Sequence, residues 1–140
     1  MMKKLLLLLF ALPFFAMVVA NDTSKFLGKW EGEDNKQIGY LTFEPDGFLF
    51  IEVDGDVMGG QEFDLDGKRL QLTFEVNDKK DPIELDLVMT NLEDPDDQKL
   101  LLCIVRFIDE DHFELDPSFD GQRHTEFNPV TTILFTRVKE

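Results

Sequence analysis

The side chains of this chain that could do covalent chemistry are few and scattered. After Ala20 the serines are Ser24 and Ser118, and the histidines are His112 and His124. No Gly-x-Ser-x-Gly segment occurs, so a strained nucleophile turn is not encoded. His112 and His124 stand near Asp111 and Glu126 in segments that read as loops. Neither has the further partners that a catalytic or metal-bound imidazole needs. There is no His-Glu-x-x-His, and the single cysteine, Cys103, supplies neither a disulfide nor a zinc knuckle. Its neighbours Leu101, Leu102, Ile104 and Val105 are apolar, so it reads as a small buried side chain rather than a reactive thiol. Carboxylates number 29, and no pair stands apart as a glycosidase acid and base would. Asp54-Gly55-Asp56, Asp64-Leu65-Asp66-Gly67, Asp94-Pro95-Asp96-Asp97 and Asp109-Glu110-Asp111 are acid-rich turns. Calcium wants about six to eight hard oxygens, and none of these turns has the full loop spacing with its closing Glu. Asp and Gly are also the ordinary residues of tight hairpins. The expectation is no catalytic residue, no metal and no cofactor, hence a protein that binds rather than converts.

The residues suited to binding are aromatic. Phenylalanine occurs 14 times, against one Trp and one Tyr. Phe43, Phe50, Phe74 and Phe107 fall in segments that read as strands. Phe119 and Phe127 fall in the long irregular stretch from Asp116 to Pro129, which suits a lid. These six are the candidate contacts for a small apolar ligand. In a small barrel, inward side chains either fill the interior or line a pocket, and both outcomes use the same residues.

The elements that must position them follow a period of two. Leu70, Leu72, Phe74 and Val76 alternate with Gln71, Thr73 and Glu75; Ile83, Leu85, Leu87 and Met89 alternate with Glu84, Asp86 and Val88. Successive strand residues face opposite ways, so each segment has one apolar face. Ile38–Phe43 and Phe48–Val53 flank Glu44-Pro45-Asp46-Gly47, a turn in which Pro presets φ and Gly accepts a positive one. A strand near Met58–Leu65 follows. Asn91–Gln98 reads as an acidic turn around Pro95. Lys99–Ile108 is apolar on both faces until Arg106, so its outer face is expected to be covered. Phe113–Leu115 and Thr131–Val138 complete the set, with an opening strand at Lys29–Gly32. Turns this frequent join antiparallel neighbours. The fold class is all-β: one antiparallel up-and-down (meander) barrel of about eight or nine strands, which removes the open sheet edges.

The first residues carry a different signal. Lys3 and Lys4 precede an uncharged run from Leu5 to Val19, and Ala20 ends it before the polar Asn21-Asp22. This is the order of a cleavable secretory signal, and the run is shorter than the roughly 20 residues a spanning helix needs. The expected organisation is a signal peptide at 1–20, a flexible tether at 21–25 and one barrel domain at 26–140. The short Lys-Lys start suggests a bacterium, with a periplasmic or extracellular destination. The net charge is −15, and the leader would remove two lysines and no acid. Such a surface disfavours nucleic acid and anionic membrane, whose recognition needs clustered Lys and Arg. A small apolar ligand or a basic protein remains as a partner, and a monomer is expected.

Gly28-Lys29-Trp30 opens the first strand and Phe135-Thr136-Arg137 closes the last. In these positions the chain resembles the lipocalins and their calycin relatives, closest to the short bacterial lipocalin-like domains. The resemblance implies a barrel with Arg137 packed over the Trp30 ring, a structural pair that joins its ends. The middle family motif is absent, and no room is left for a C-terminal helix. The resemblance and the phenylalanines together imply a small hydrophobic ligand held in the barrel interior. The alternative is an acidic, inhibitor-like module with a filled core that docks a basic protein.

Overall fold

The computed structural model describes residues 22–33 and 38–139. The expected signal peptide lies outside them. Nine strands follow one another: β1 (Gly28–Glu33), β2 (Ile38–Phe43), β3 (Leu49–Val53), β4 (Asp56–Leu65), β5 (Lys68–Asn77), β6 (Ile83–Asn91), β7 (Asp94–Asp109), β8 (His112–Ser118) and β9 (Ile133–Arg137). They close into one antiparallel barrel in chain order, with β9 returning to β1. The expected meander is therefore the observed fold.

Two boundaries differ from the sequence reading. The Asn91–Gln98 stretch is not an extended turn. The chain reverses at Leu92-Glu93, and β7 already begins at Asp94, paired with β6 through a register shift near Thr90 and Asn91. Pro95 is tolerated there because that end of β7 has a partner on one side only. β8 also runs three residues beyond Leu115, through Asp116 and Pro117 to Ser118, which pairs with Leu102.

A closed ring of nine strands, each antiparallel to both neighbours, cannot alternate up and down all the way round. One strand must run both ways, and β4 is that strand. Asp56–Gly59 pair with β3, and Gly60–Leu65 pair with β5; no residue of β4 lies in both ladders. At the changeover Gly59 and Gly60 have φ of 126° and 80°. Just below, Phe48 bridges directly to Thr73 of β5, so at that level eight strands complete the ring. The corner is tight. A Cβ at Gly59 would lie 2.2 Å from the Leu49 carbonyl oxygen, and one at Gly60 would lie 2.6 Å from the Phe50 ring.

Away from the barrel ends, where Lys99 and Arg137 stand, the inward-facing side chains are apolar and pack into one core. At the base, the turn at 24–27 drives Phe26 into the interior, where its ring meets Phe43 at 5.4 Å and Phe107 at 5.1 Å. Trp30 and Phe113 pack edge to face at 4.5 Å. Trp30 and Arg137 are partners across β1 and β9, and the guanidinium sits 4.2 Å over the indole ring. Trp30 Nε1 donates to the Phe26 carbonyl at 2.7 Å. Arg137 donates to the carbonyls of Leu27, Lys25 and Glu110 and pairs with Asp111. The stack itself is worth about 0.5–2 kcal/mol. Residues 22–25, expected as a loose tether, are tied down: Asp22 N–H donates to Asp78, and Lys25 O accepts from Arg137.

The corner yields a contrast between two glycines. Gly59→Ala combines a disallowed φ with a backbone clash and should cost about 3 kcal/mol or more. Gly55→Ala has a positive φ but open space around it, and should cost about 1 kcal/mol. Urea unfolding of both variants checks this, and equal losses would show that β4 does not turn at Gly59.

Candidate functional site

The six nominated phenylalanines do not form one site. Phe43 and Phe74 lie in the core, edge to face at 4.9 Å, with their surfaces already covered. Phe50 points outward, because it shares its parity with Glu52 while Leu49 and Ile51 turn in; its ring covers Gly60. Phe119 is 77% exposed. Phe127 lies on the outer wall beneath Arg106, 4.3 Å from its ring centroid. Phe107 alone of the six faces both the core and a sizeable cleft.

That cleft, about 740 Å³, opens at the barrel base where the β7–β8 turn, the end of β9 and the 24–27 turn converge. Phe107 and Ile108 form its apolar floor; Asp109, Glu110 and Asp111 form an acidic rim; Ser24, Lys25 and Arg137 complete it. Lys25 Nζ lies 5.8 Å from the Phe107 ring centroid. Arg137 is committed to three carbonyls and Asp111. Hydrogen bonds from Lys139 and the charge of Arg137 hold the Asp111 carboxyl below the usual range, and His112 does the same for Asp109. At the opposite end, the space among Leu65, Leu70 and Met89 is only about 90 Å³.

The long 119–132 stretch is not a lid over the barrel. It is a strap across the outer wall, and polar groups hold it there. Asp116 projects outward from β8 and is fully buried. It accepts from Thr131 Oγ1, from the Asn128 N–H at 2.9 Å and from His124 Nδ1 at 2.8 Å. An ionised carboxylate only accepts, so Nδ1 carries the hydrogen. Burial alone would raise the Asp116 pKa; the bonds from Thr131, Asn128 and His124 outweigh it and hold the carboxyl below its ordinary value. Arg123 then reaches β6 and β7. It donates to the Cys103 carbonyl at 3.1 Å, lies 2.7 Å from Asp86 and lies 3.5 Å from Glu84. Asp86 Oδ1 is buried without a well-aligned hydrogen bond, and the Arg123 charge at that short distance is its compensation. Ile104, on the outer face of β7, is buried as its apolar context implied. Cys103 faces inward, and burial, with the Asp86 charge adding, pushes its thiol up to about 12, which suits a packing role.

His124 also faces a polar cleft of about 330 Å³ with Asp120, Glu126 and Asn128. A carboxylate-tethered imidazole is the orientation a general base needs. Ser118 Oγ, two residues along β8 from Asp116, shares its one hydroxyl hydrogen between Asp120 and the Gln122 carbonyl. Among the described residues no group of three or more His, Cys, Asp or Glu is placed to hold a metal. From its sequence neighbours His124 is expected to be a solvated loop residue; its partner stands eight residues away on a strand. The available signal was Asp116 itself, a charge within an otherwise well-patterned strand end.

No family model, curated protein or solved structure matches this chain.

The buried Asp116 contacts predict that the strap's hold on the wall depends on pH. A carboxyl with a depressed folded pKa contributes stability above its unfolded pKa, near 3.9, and loses it as pH falls through the folded value. Strap protection from proteolysis should be flat from about pH 7 to 5 and fall below about pH 4. Asp116→Ala should remove about 3 kcal/mol or more by orphaning buried donors and expose the strap at pH 7. Limited proteolysis with mass mapping of 119–132 checks both.

Proposed function

We propose that this chain is an exported, lipocalin-like binding protein that holds a small hydrophobic molecule at the base of its barrel. The observation that carries this reading is the cleft of about 740 Å³ floored by Phe107 and Ile108. Its volume falls within the roughly 300–1,000 Å³ of small-molecule pockets. The filled interior supports a ligand at the rim rather than at the barrel centre. Covering Phe107 and Ile108 removes apolar surface from water, and this drives association. The rim of Asp109, Glu110 and Asp111 favours a neutral or cationic head over a carboxylate. The Lys-Lys start and the Leu5–Val19 run support export.

Trp30 is the chain's single tryptophan, and its ring lies 6.2 Å from that of Phe107, so it reports occupancy. Decylamine, decanol and decanoate share a tail and differ in head charge. Titration against Trp30 emission should give saturable binding of the first two, with decanoate about tenfold weaker. Ile108 is 58% exposed, so Ile108→Ser should leave stability unchanged while weakening decanol about tenfold. No saturable response, or an unaltered one in that variant, would sink the reading.

A further inference from the structure

We infer that the mouth-side half of β7 is a docking edge for an extended, basic segment of a partner protein, which adds as a strand in line with β8. This goes beyond the cleft and stands on different residues.

The edge exists because two strands differ in length. β7 pairs with β6 as far as Asp94, but with β8 only up to Leu102, where β8 ends at Ser118. Among the described residues, Asp94 and Gln98–Leu101 pair with β6 alone, and residues 95–97 bulge from the ladder between them. The direction of the unpaired groups follows from the ladder. Leu92 N–H donates to the Arg69 carbonyl at 2.8 Å. Counting from that bond, the odd-numbered residues of β6 turn their peptide groups toward β7. Their partners Lys99 and Leu101 therefore turn theirs back toward β6. Gln98 and Leu100 consequently direct N–H and C=O to the free side, where Leu102 bonds Ser118 one step further along.

Three features make this edge receptive. Leu100 is 51% exposed and Phe119, where β8 gives out, is 77% exposed, so the lane is open and carries two apolar anchors. Leu100 is placed to meet a side chain of an added strand, and Phe119 borders the start of the lane. Asp94 and Asp96 stand exposed at the tip beside Asp97, on a chain of net charge −15. Backbone pairing supplies the register, and charge complementarity selects a Lys- or Arg-bearing segment over an acidic one. The same charge opposes a second copy of this chain as the occupant.

The probe is an alternating Lys–Val octapeptide, measured by calorimetry and by amide hydrogen exchange on the whole protein. Saturable binding is expected, with slowed exchange at Gln98 and Leu100. The same peptide N-methylated on alternate residues keeps its charge and loses half its donors, and should bind about tenfold more weakly or worse. Leu100→Pro removes an edge N–H that no ladder uses, so it should keep the melting temperature and lose affinity by a similar factor. Equal binding of the methylated peptide, equal binding by Leu100→Pro, or absence of protection at both amides overturns the proposal. A free protein that sediments as a dimer with those amides already protected also overturns it, because a second copy then fills the edge. Decanol titration of Leu100→Pro should be unchanged, so loss here and loss at the base cleft are separately visible.

Discussion

The first and last strands of this chain must find each other, and every other feature inherits from that contact. An open antiparallel sheet of this length would present two unpaired edges to other chains. β9 closes against β1 from Leu134 to Arg137, and Arg137 ties the joint by stacking on Trp30 and collecting three carbonyls from two turns, at 24–27 and between β7 and β8. Closure also limits the volume inside. A ring of so few strands leaves space that side chains of phenylalanine size occupy. With Phe26, Trp30, Phe43, Phe113 and Phe135 within it, the interior becomes a stabilising core, and the candidate surfaces lie where the ring ends or is interrupted.

Those places have a common origin in strand length and strand parity. β4 absorbs the odd strand of the ring at Gly59 and Gly60, where only residues without a Cβ let the chain pass so close to Leu49. β7 is the longest strand, and it overshoots β8 at the mouth and reaches the acidic turn at the base. Its two ends thus build both candidate surfaces: the free edge at Gln98 and Leu100, and the cleft floor at Phe107 and Ile108. Between them its outer wall is covered by the strap.

Much of this architecture was legible in the residues, and the limits have physical causes. Period two marks β5 and β6 because each has a polar partner face, whereas an unbroken apolar run marks the covered wall of β7 because both faces there are apolar. It is ambiguous in β3, where Phe48 and Phe50 alternate with Leu49 and Ile51; only Glu52, on the parity of Phe50, tells which set is outside. Acid-rich composition misled at Asp94–Asp97, since a strand with one free edge tolerates the Asp and Pro that usually mark turns. The His124–Asp116 pair was hidden because strap and strand meet through tertiary packing, which no local spacing encodes. The base cleft was half visible: Phe107 was chosen for its strand position, but the turn that places Asp109–Asp111 over it depends on barrel closure.

The distribution of charge completes the picture. The chain has four arginines, Arg69, Arg106, Arg123 and Arg137, and each is engaged with acids of its own barrel: Glu62, Glu114, the Glu84–Asp86 pair and Asp111. Arginine suits this work because its planar fork binds carboxylates and carbonyls together. These pairs link β4 to β5, β7 to β8, the strap to β6 and β9 to the β7–β8 turn, so the guanidinium charge is neutralised where it serves structure. What remains for a partner to meet is the surplus of carboxylates, concentrated on turns and strand ends, against scattered lysines. A field of that sign decides between partners before any contact forms. At the proposed base cleft and β7 edge, a field of that sign would favour neutral or cationic groups over phosphates and carboxylates.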